Sequence, residues 1–251
     1  MMLKDLQIIN KGDKKTIYRS GDDVIKVFDP SHPKSAVFNE AHIHAAAEDA
    51  GLPVPTLKSV ECFEGGWGLV MSHSEGKTLA QIMEEDPKNY KKYLDQLIDI
   101  QLEVNKFSAP RLRNTIDKMA EKVNELKEEI DPSTRYELQQ RLRGMRRHTK
   151  MCHGDLIPSN VIIQENGYKV IDWSHATQGN AGADAALTYL HFCLTNKDYA
   201  EYYLDSYCLK ADLPKQYIQK WMPIIAAYKL GRVKPEDEKL LREWIAVAEY
   251  M

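Results

Sequence analysis

Asp155, Asn160 and Asp172 are the side chains of this sequence best suited to chemistry. They lie in Met151-Cys152-His153-Gly154-Asp155-Leu156-Ile157-Pro158-Ser159-Asn160 and in Ile171-Asp172-Trp173. The residues between them read as a hairpin: a strand Val161-Ile162-Ile163, a turn at Glu165-Asn166-Gly167, and a strand from Tyr168 to Ile171. Such a hairpin brings the three side chains close together. Oxygen ligands on loop and strand ends suit a Mg²⁺ site that keeps positions open for phosphate oxygens and water. Two other readings compete. Asp155 and Asn160 can serve simply as turn caps, and His153, Asp155, Asp172 and His175 can be read as ligands of a metal-dependent hydrolase. The hydrolase reading leaves Asn160 without a role.

The interval from Asp155 to Asn160 is that of the kinase catalytic loop, although Gly154 stands where that loop usually carries Arg. His153-Gly154-Asp155 with Asn160 and Ile171-Asp172-Trp173 resembles the aminoglycoside phosphotransferase and choline kinase family, whose members phosphorylate small molecules. The resemblance implies a two-lobed, protein-kinase-like α+β fold, with a small antiparallel sheet and one helix followed by a larger, mostly helical lobe. It implies transfer of the γ-phosphoryl group of ATP to a hydroxyl of a small molecule. Asp155 would take the proton, and Asn160 and Asp172 would hold Mg²⁺. A catalytically silent, nucleotide-binding relative is the main alternative, and a protein kinase a lesser one. No long activation segment ending in Ala-Pro-Glu is present, which favours a small acceptor.

The elements that must position these residues begin at Leu6. Leu6 to Phe28 reads as a three-strand meander with turns at Lys11-Gly12-Asp13-Lys14 and Ser20-Gly21-Asp22-Asp23. Lys26 lies within Val24-Ile25-Lys26-Val27-Phe28, on the face opposite Ile25 and Val27. It resembles the family's strand lysine that binds nucleotide phosphates. Only Gly12 is present where a protein kinase has a glycine-rich loop, so backbone N–H groups around Lys14 and Lys15 are the expected phosphate cover. Ala36 to Ala50 reads as a helix stopped by Gly51. Glu40 on that helix matches the family's glutamate that pairs with the strand lysine. Leu52-Pro53-Val54-Pro55 is then extended, and Val60–Phe63 with Trp67–Met71 forms a hairpin. Met71, Ser72 and His73 lead out of the sheet and, by the resemblance, border the base. These expectations divide the chain into 1–75, binding nucleotide, and 76–251, carrying the catalytic loop and acceptor site.

From Thr78 onward the pattern is helical: Leu79–Met83, Tyr90–Phe107, Asn114–Ile130, Ser133–Lys150, Ala185–Leu194, Tyr199–Cys208, Pro214–Leu230 and Pro235–Tyr250. Asp184 resembles the family residue that caps the helix after the catalytic hairpin and steadies the catalytic loop. Arg141, Arg143, Arg146, Arg147 and Lys150 read as a solvated helix end. Tyr189, Tyr202, Tyr203, Tyr207, Tyr217, Trp221 and Tyr228 read mostly as core. Any that line the acceptor cleft would suit a quaternary ammonium, whereas Glu201 and Asp205 would suit a polyamine or aminosugar. With 34 basic and 37 acidic residues, net −3, the chain offers no broad nucleic-acid surface. No apolar run is long enough to span a membrane, and Met1–Asn10 is too short and polar for a signal peptide. Cys62, Cys152, Cys193 and Cys208 form no Cys-x-x-Cys pair and read as reduced thiols of a cytoplasmic protein.

Overall fold

The computed structural model describes residues 3–246. In chain order the elements are β1 (Gln7–Lys11), β2 (Lys15–Ser20), β3 (Asp23–Phe28), α1 (Lys34–Asp49), β4 (Leu57–Phe63), β5 (Gly66–Ser72), β6 (Lys77–Thr78) and α2 (Leu79–Glu85). They continue as α3 (Tyr90–Val104), α4 (Thr115–Glu125), α5 (Pro132–Gly144), β7 (Lys150–Cys152), β8 (Val161–Gln164), β9 (Gly167–Val170) and β10 (Thr177–Gly179). Last come α6 (Ala181–Thr195), α7 (Lys197–Ala211), α8 (Lys215–Gln219), α9 (Met222–Lys229) and α10 (Glu238–Ala246). The chain is α+β and divides into two compact units. The first comprises residues up to Ile82 together with Pro158–His175; the second comprises Met83–Ile157 and the residues from Ala176 onward.

In the first unit an antiparallel sheet runs in the order β1-β2-β3-β5-β4. The two-residue period of β3 gives it two different faces. Ile25 and Val27 pack with Leu3, Tyr18, Phe63 and Val70, while Phe28 packs with Val37 and Ala41 of α1 and with Leu69. Lys26 shares the side of Phe28, its ammonium 5.5 Å from that ring centre. The hairpin β8–β9 belongs to this unit as well, because β6 pairs with β8 and the Pro53 carbonyl accepts the Val170 N–H at 2.8 Å. Pro53 and Pro55 hold that segment extended, and its carbonyls serve as acceptors: His44 Nε2–H donates to Pro55 at 2.6 Å.

The second unit is built around α6, which buries Ala183, Asp184, Ala185, Ala186, Leu187, Thr188, Leu190 and Phe192. A helix buried on so many sides has to be central. On α3, Tyr93, Leu94, Leu97, Ile98 and Gln101 are buried at helical spacing, as the sequence pattern predicts. Several element boundaries differ from expectation. The segment read as one helix from Pro214 to Leu230 is two, α8 and α9, because Pro223 lies in the first turn of α9 and cannot donate a helical bond. The helix expected from Ala185 begins at Ala181, capped by Asn180, whose side chain accepts the Gly182 N–H at 2.8 Å. The helix expected to reach Lys150 ends at Gly144, and Lys150–Cys152 instead pairs with β10, a strand the sequence did not disclose. Of the expected basic helix end, Arg141 and Arg143 occupy the last turn of α5, whereas Arg147 lies beyond it and pairs with Asp117 at 3.0 Å. The expected continuation of the final helix to Tyr250 lies outside the described residues.

Candidate active site

In the first unit Lys26 is the centre of the site. It is a lysine only 4% exposed, and its ammonium donates both to Glu40 of α1 and to Asp172 Oδ1, the latter at 2.8 Å. Burial alone would lower its pKa; Glu40 and Asp172 reverse that and hold it above the ordinary lysine value. Glu40 reaches Lys26 because it shares a helical face with Val37, Ala41 and His44, all buried. Lys15, opening β2, donates to Asp172 Oδ2 at 2.8 Å. Sequence reasoning weighed only the backbone near Lys15, and the structure brings its side chain into the site. Burial would raise the Asp172 carboxyl, yet the charges of Lys26 and Lys15 and their hydrogen bonds hold it well below the usual carboxylate range.

Asp172 sits just past β9 with φ +61°, a left-handed conformation that Asp tolerates better than most residues. Ser174 Oγ also donates to its Oδ1 at 3.1 Å, and buried Trp173 anchors the turn by donating Nε1–H to the Val170 carbonyl at 2.9 Å. Asn160 lies at the opposite root of the hairpin, its carbonyl accepting the Ile171 N–H at 2.9 Å. Asn160 is 9% exposed. A cavity of about 500 Å³ in this unit is lined by Gly12, Asp13, Lys14, Lys15, Phe28, His32, Glu40 and Ser174, among others.

Met71 and Ser72 end β5, paired with Val24 and Asp23 of β3. The Ser72 N–H donates to the Thr56 carbonyl at 2.9 Å and the His73 N–H to the Asp22 carbonyl at 2.8 Å. These two backbone donors are therefore spent within the first unit. The His73 side chain meets Glu75 at 3.0 Å, and Arg19 also reaches Glu75, at 3.2 Å.

Asp155 belongs to the second unit. Gly154, at φ +80°, takes a backbone conformation open chiefly to glycine, and its N–H donates to Asp184 Oδ1 at 2.7 Å. Asp184 is buried at 1% exposure; its other oxygen accepts from Asn105 at 3.3 Å and Gln101 at 3.4 Å. Asp184 thus ties down the loop that carries Asp155, while the capping role expected of it falls to Asn180. Lys229 at the end of α9 stands 3.7 Å from Asp155 Oδ1, a neighbour that no sequence pattern announced. Tyr203, Tyr207, Trp221 and Tyr228 are buried core residues, and Asp205 is engaged with Lys215.

Asp172, held ionised, and the amide oxygen of Asn160 fit a hard divalent cation whose remaining ligands are phosphate oxygens and water. The ammonium of Lys15 on Asp172 Oδ2 marks a place where that carboxylate favours positive charge. Among the described residues no cluster of three or more His, Cys, Asp or Glu side chains is arranged to hold a metal, which is what the hydrolase reading needs. The match to a family model decides the family, because the phosphotransferase enzyme family model matches residues 5–217. The chain belongs to the phosphotransferase enzyme family. Solved structures similar to this phosphotransferase-family chain include a thermostable mutant of aminoglycoside phosphotransferase APH(4)-Ia in ternary complex with ADP and hygromycin B, at TM-score 0.68 and 13% identity, covering 97% of this chain and 92% of that one. They also include choline kinase LicA from Streptococcus pneumoniae, at TM-score 0.62, 18% identity and coverages of 97% and 95%. A choline/ethanolamine kinase family protein from Mesorhizobium loti has TM-score 0.63, 13% identity and coverages of 98% and 87%. At these identities the likeness establishes the fold, which is kinase-like. No curated protein sequence matches the chain. Among the described residues no helix is long and apolar enough to cross a membrane.

Proposed function

We propose that this chain is an ATP- and Mg²⁺-dependent kinase of a small hydroxylated molecule, with nucleotide bound by residues 1–75 and the acceptor by residues 76–251. The observation that carries this reading is the buried Lys26 ammonium, held between Glu40 and Asp172. A lysine so desolvated is costly unless paired, and its pairing with a helix glutamate and a metal-binding aspartate is the arrangement phosphoryl transfer uses. Lys26 neutralises the phosphates and Glu40 fixes its orientation. Met71, Ser72 and His73 border the base. Asn160 and Asp172 would hold Mg²⁺, which would offset the negative charge of the phosphates. Asp155 accepts the proton of the acceptor hydroxyl as its oxygen forms a bond to the γ-phosphorus; the bond from that phosphorus to the β-phosphate oxygen breaks, and ADP leaves. The four free thiols accord with a cytoplasmic setting.

Asp155→Asn tests this. Proton acceptance by a positioned side chain contributes about 10²- to 10⁴-fold, so the variant should lose roughly that factor in turnover while binding Mg²⁺·AMP-PNP as the parent does. A screen of hydroxylated metabolites and aminoglycosides for ADP release supplies the acceptor. Equal turnover by variant and parent refutes the assignment of Asp155. Tight nucleotide binding with no turnover of any acceptor favours the silent nucleotide-binding protein.

A further inference from the structure

Asp172 receives two ammonium groups, and they differ in how firmly each is held. Lys26, on its Oδ1, is also bound by Glu40, and the Lys26 side chain is 5% exposed. Lys15, on its Oδ2 at 2.8 Å, has a side chain 35% exposed. The backbone around Lys15 is fixed: the Gly12 N–H donates to the Lys15 carbonyl and the Asp29 N–H to the Lys14 carbonyl, both at 2.9 Å. Only the flexible stem of Lys15 is left to move. In the register of β2 and β3 Lys15 stands opposite Phe28, so it shares the sheet face that carries Lys26. On that face it lines the cavity of about 500 Å³ together with Gly12, Asp13, Lys14 and Ser174.

Two features argue that the contact of Lys15 with Asp172 belongs to one state of the site. A divalent cation on the Asp172 carboxylate and an ammonium 2.8 Å from the same carboxylate repel each other, and the more exposed of the two lysines is the one free to give way. The turn Lys11-Gly12-Asp13-Lys14 has a single glycine and puts an acid, Asp13, on the cavity wall. A carboxylate there disfavours phosphate oxygens, and an ammonium turned into the cavity offsets it.

We propose that Lys15 is a phosphate-binding residue that exchanges partners: without nucleotide it neutralises Asp172, and with metal and nucleotide bound it turns into the cavity and donates to a phosphate oxygen. The assignment rests on the kinase reading above. It makes Lys15 a competitor of the free metal ion at Asp172 and a ligand of the metal–nucleotide complex, so that metal and nucleotide favour each other's binding. Lys26, held by Glu40, keeps its place in both states.

Mn²⁺ titration of the full chain, followed by the electron paramagnetic resonance of the free ion, and calorimetry with Mg²⁺·AMP-PNP test the proposal through effects of opposite sign. Lys15→Met and Lys15→Gln each remove the charge and keep most of the stem. Both should bind Mn²⁺ alone about threefold or more tightly than the parent, because a competing cation has gone. Both should bind Mg²⁺·AMP-PNP about tenfold or more weakly, because a charge-assisted hydrogen bond to phosphate has gone. Lys14→Met removes the same charge one residue away and should leave Mn²⁺ affinity as in the parent. Lys15 variants whose two affinities move in the same direction, or do not move, overturn the proposal, and if the parent binds Mg²⁺·AMP-PNP the kinase reading stands without it. A Lys14→Met protein that gains as much Mn²⁺ affinity as the Lys15 variants also overturns it, because the effect would then come from net charge and not from the contact with Asp172. A parent that binds neither Mn²⁺ nor Mg²⁺·AMP-PNP refutes the kinase reading and the exchange with it.

Discussion

Lys118→Met should make the protein more stable, and the gain can be worked from the structure. Burial of the ammonium, together with Arg232, Arg113 and Lys229, depresses its pKa from 10.5 to about 8. At about 1.36 kcal/mol per pKa unit, keeping Lys118 protonated in the folded state at pH 7 costs up to about 3 kcal/mol. The folded chain releases this proton near pH 8 and the unfolded chain only near 10.5. Between those values the unfolded state binds more protons, so the parent gains stability as pH rises through the window; below it the full cost is present. Methionine keeps the stem's packing and carries no charge, so the variant should be more stable than the parent by about 2–3 kcal/mol at pH 7 and should lack the alkaline gain. Urea denaturation of both proteins at pH 7, 8, 9 and 10, followed by the fluorescence of buried Trp173 and Trp221, measures the difference directly. A variant less stable than the parent at pH 7, or a stability difference constant with pH, would refute the argument.

Lys26→Met should nearly abolish phosphoryl transfer and cost about 3 kcal/mol in stability, because Glu40 and Asp172 are left facing each other without the ammonium between them. A double-mutant cycle in urea with Glu40→Gln should be strongly non-additive, and strict additivity would show that the two do not act as a pair. Asp172→Asn should remove Mg²⁺-dependent turnover. Since the Asp172 carboxyl is held well below its ordinary value, its contribution to stability is present above pH ~4 and fades as pH falls toward the folded-state pKa. The parent should therefore lose stability in acid more steeply than the variant, and parallel acid profiles would contradict this. Asp184→Ala removes the acceptor of the Gly154, Asn105 and Gln101 donors. It should destabilise by about 2 kcal/mol or more and lower kcat while leaving the KM for ATP near that of the parent; steady-state kinetics with unchanged kcat would deny Asp184 a positioning role.

Residues that work through short-range geometry were legible in the sequence. Asn160 and Asp172 meet at the root of one hairpin, and the alternation along β3 puts Lys26 opposite Ile25 and Val27, so that a helix packed on that face brings Glu40 to it. Strand period and helix period are local properties, and they survive without knowledge of the fold. The sequence also carried the Asp155–Asn160 interval, because one loop sets it. What it lacked were charges that meet across long separations. Lys15 bonds Asp172 from 157 residues away, and Asp184 accepts the Gly154 N–H from 30 residues away. Lys118 of α4 reaches the ring of Tyr228 only because α4 packs on α9, and Lys229 reaches Asp155 from 74 residues away. A lysine on a helix has the same local pattern whether water or an active site faces it, so packing alone assigns its role. The surroundings of the C-terminal aromatics and acids were hidden for the same reason: Tyr203, Tyr207, Trp221 and Tyr228 are core, and Asp205 is held by Lys215. The long-range charge pairs are thus a property of tertiary structure, whereas the phosphotransferase family was written in the Asp155 loop and the hairpin that follows it.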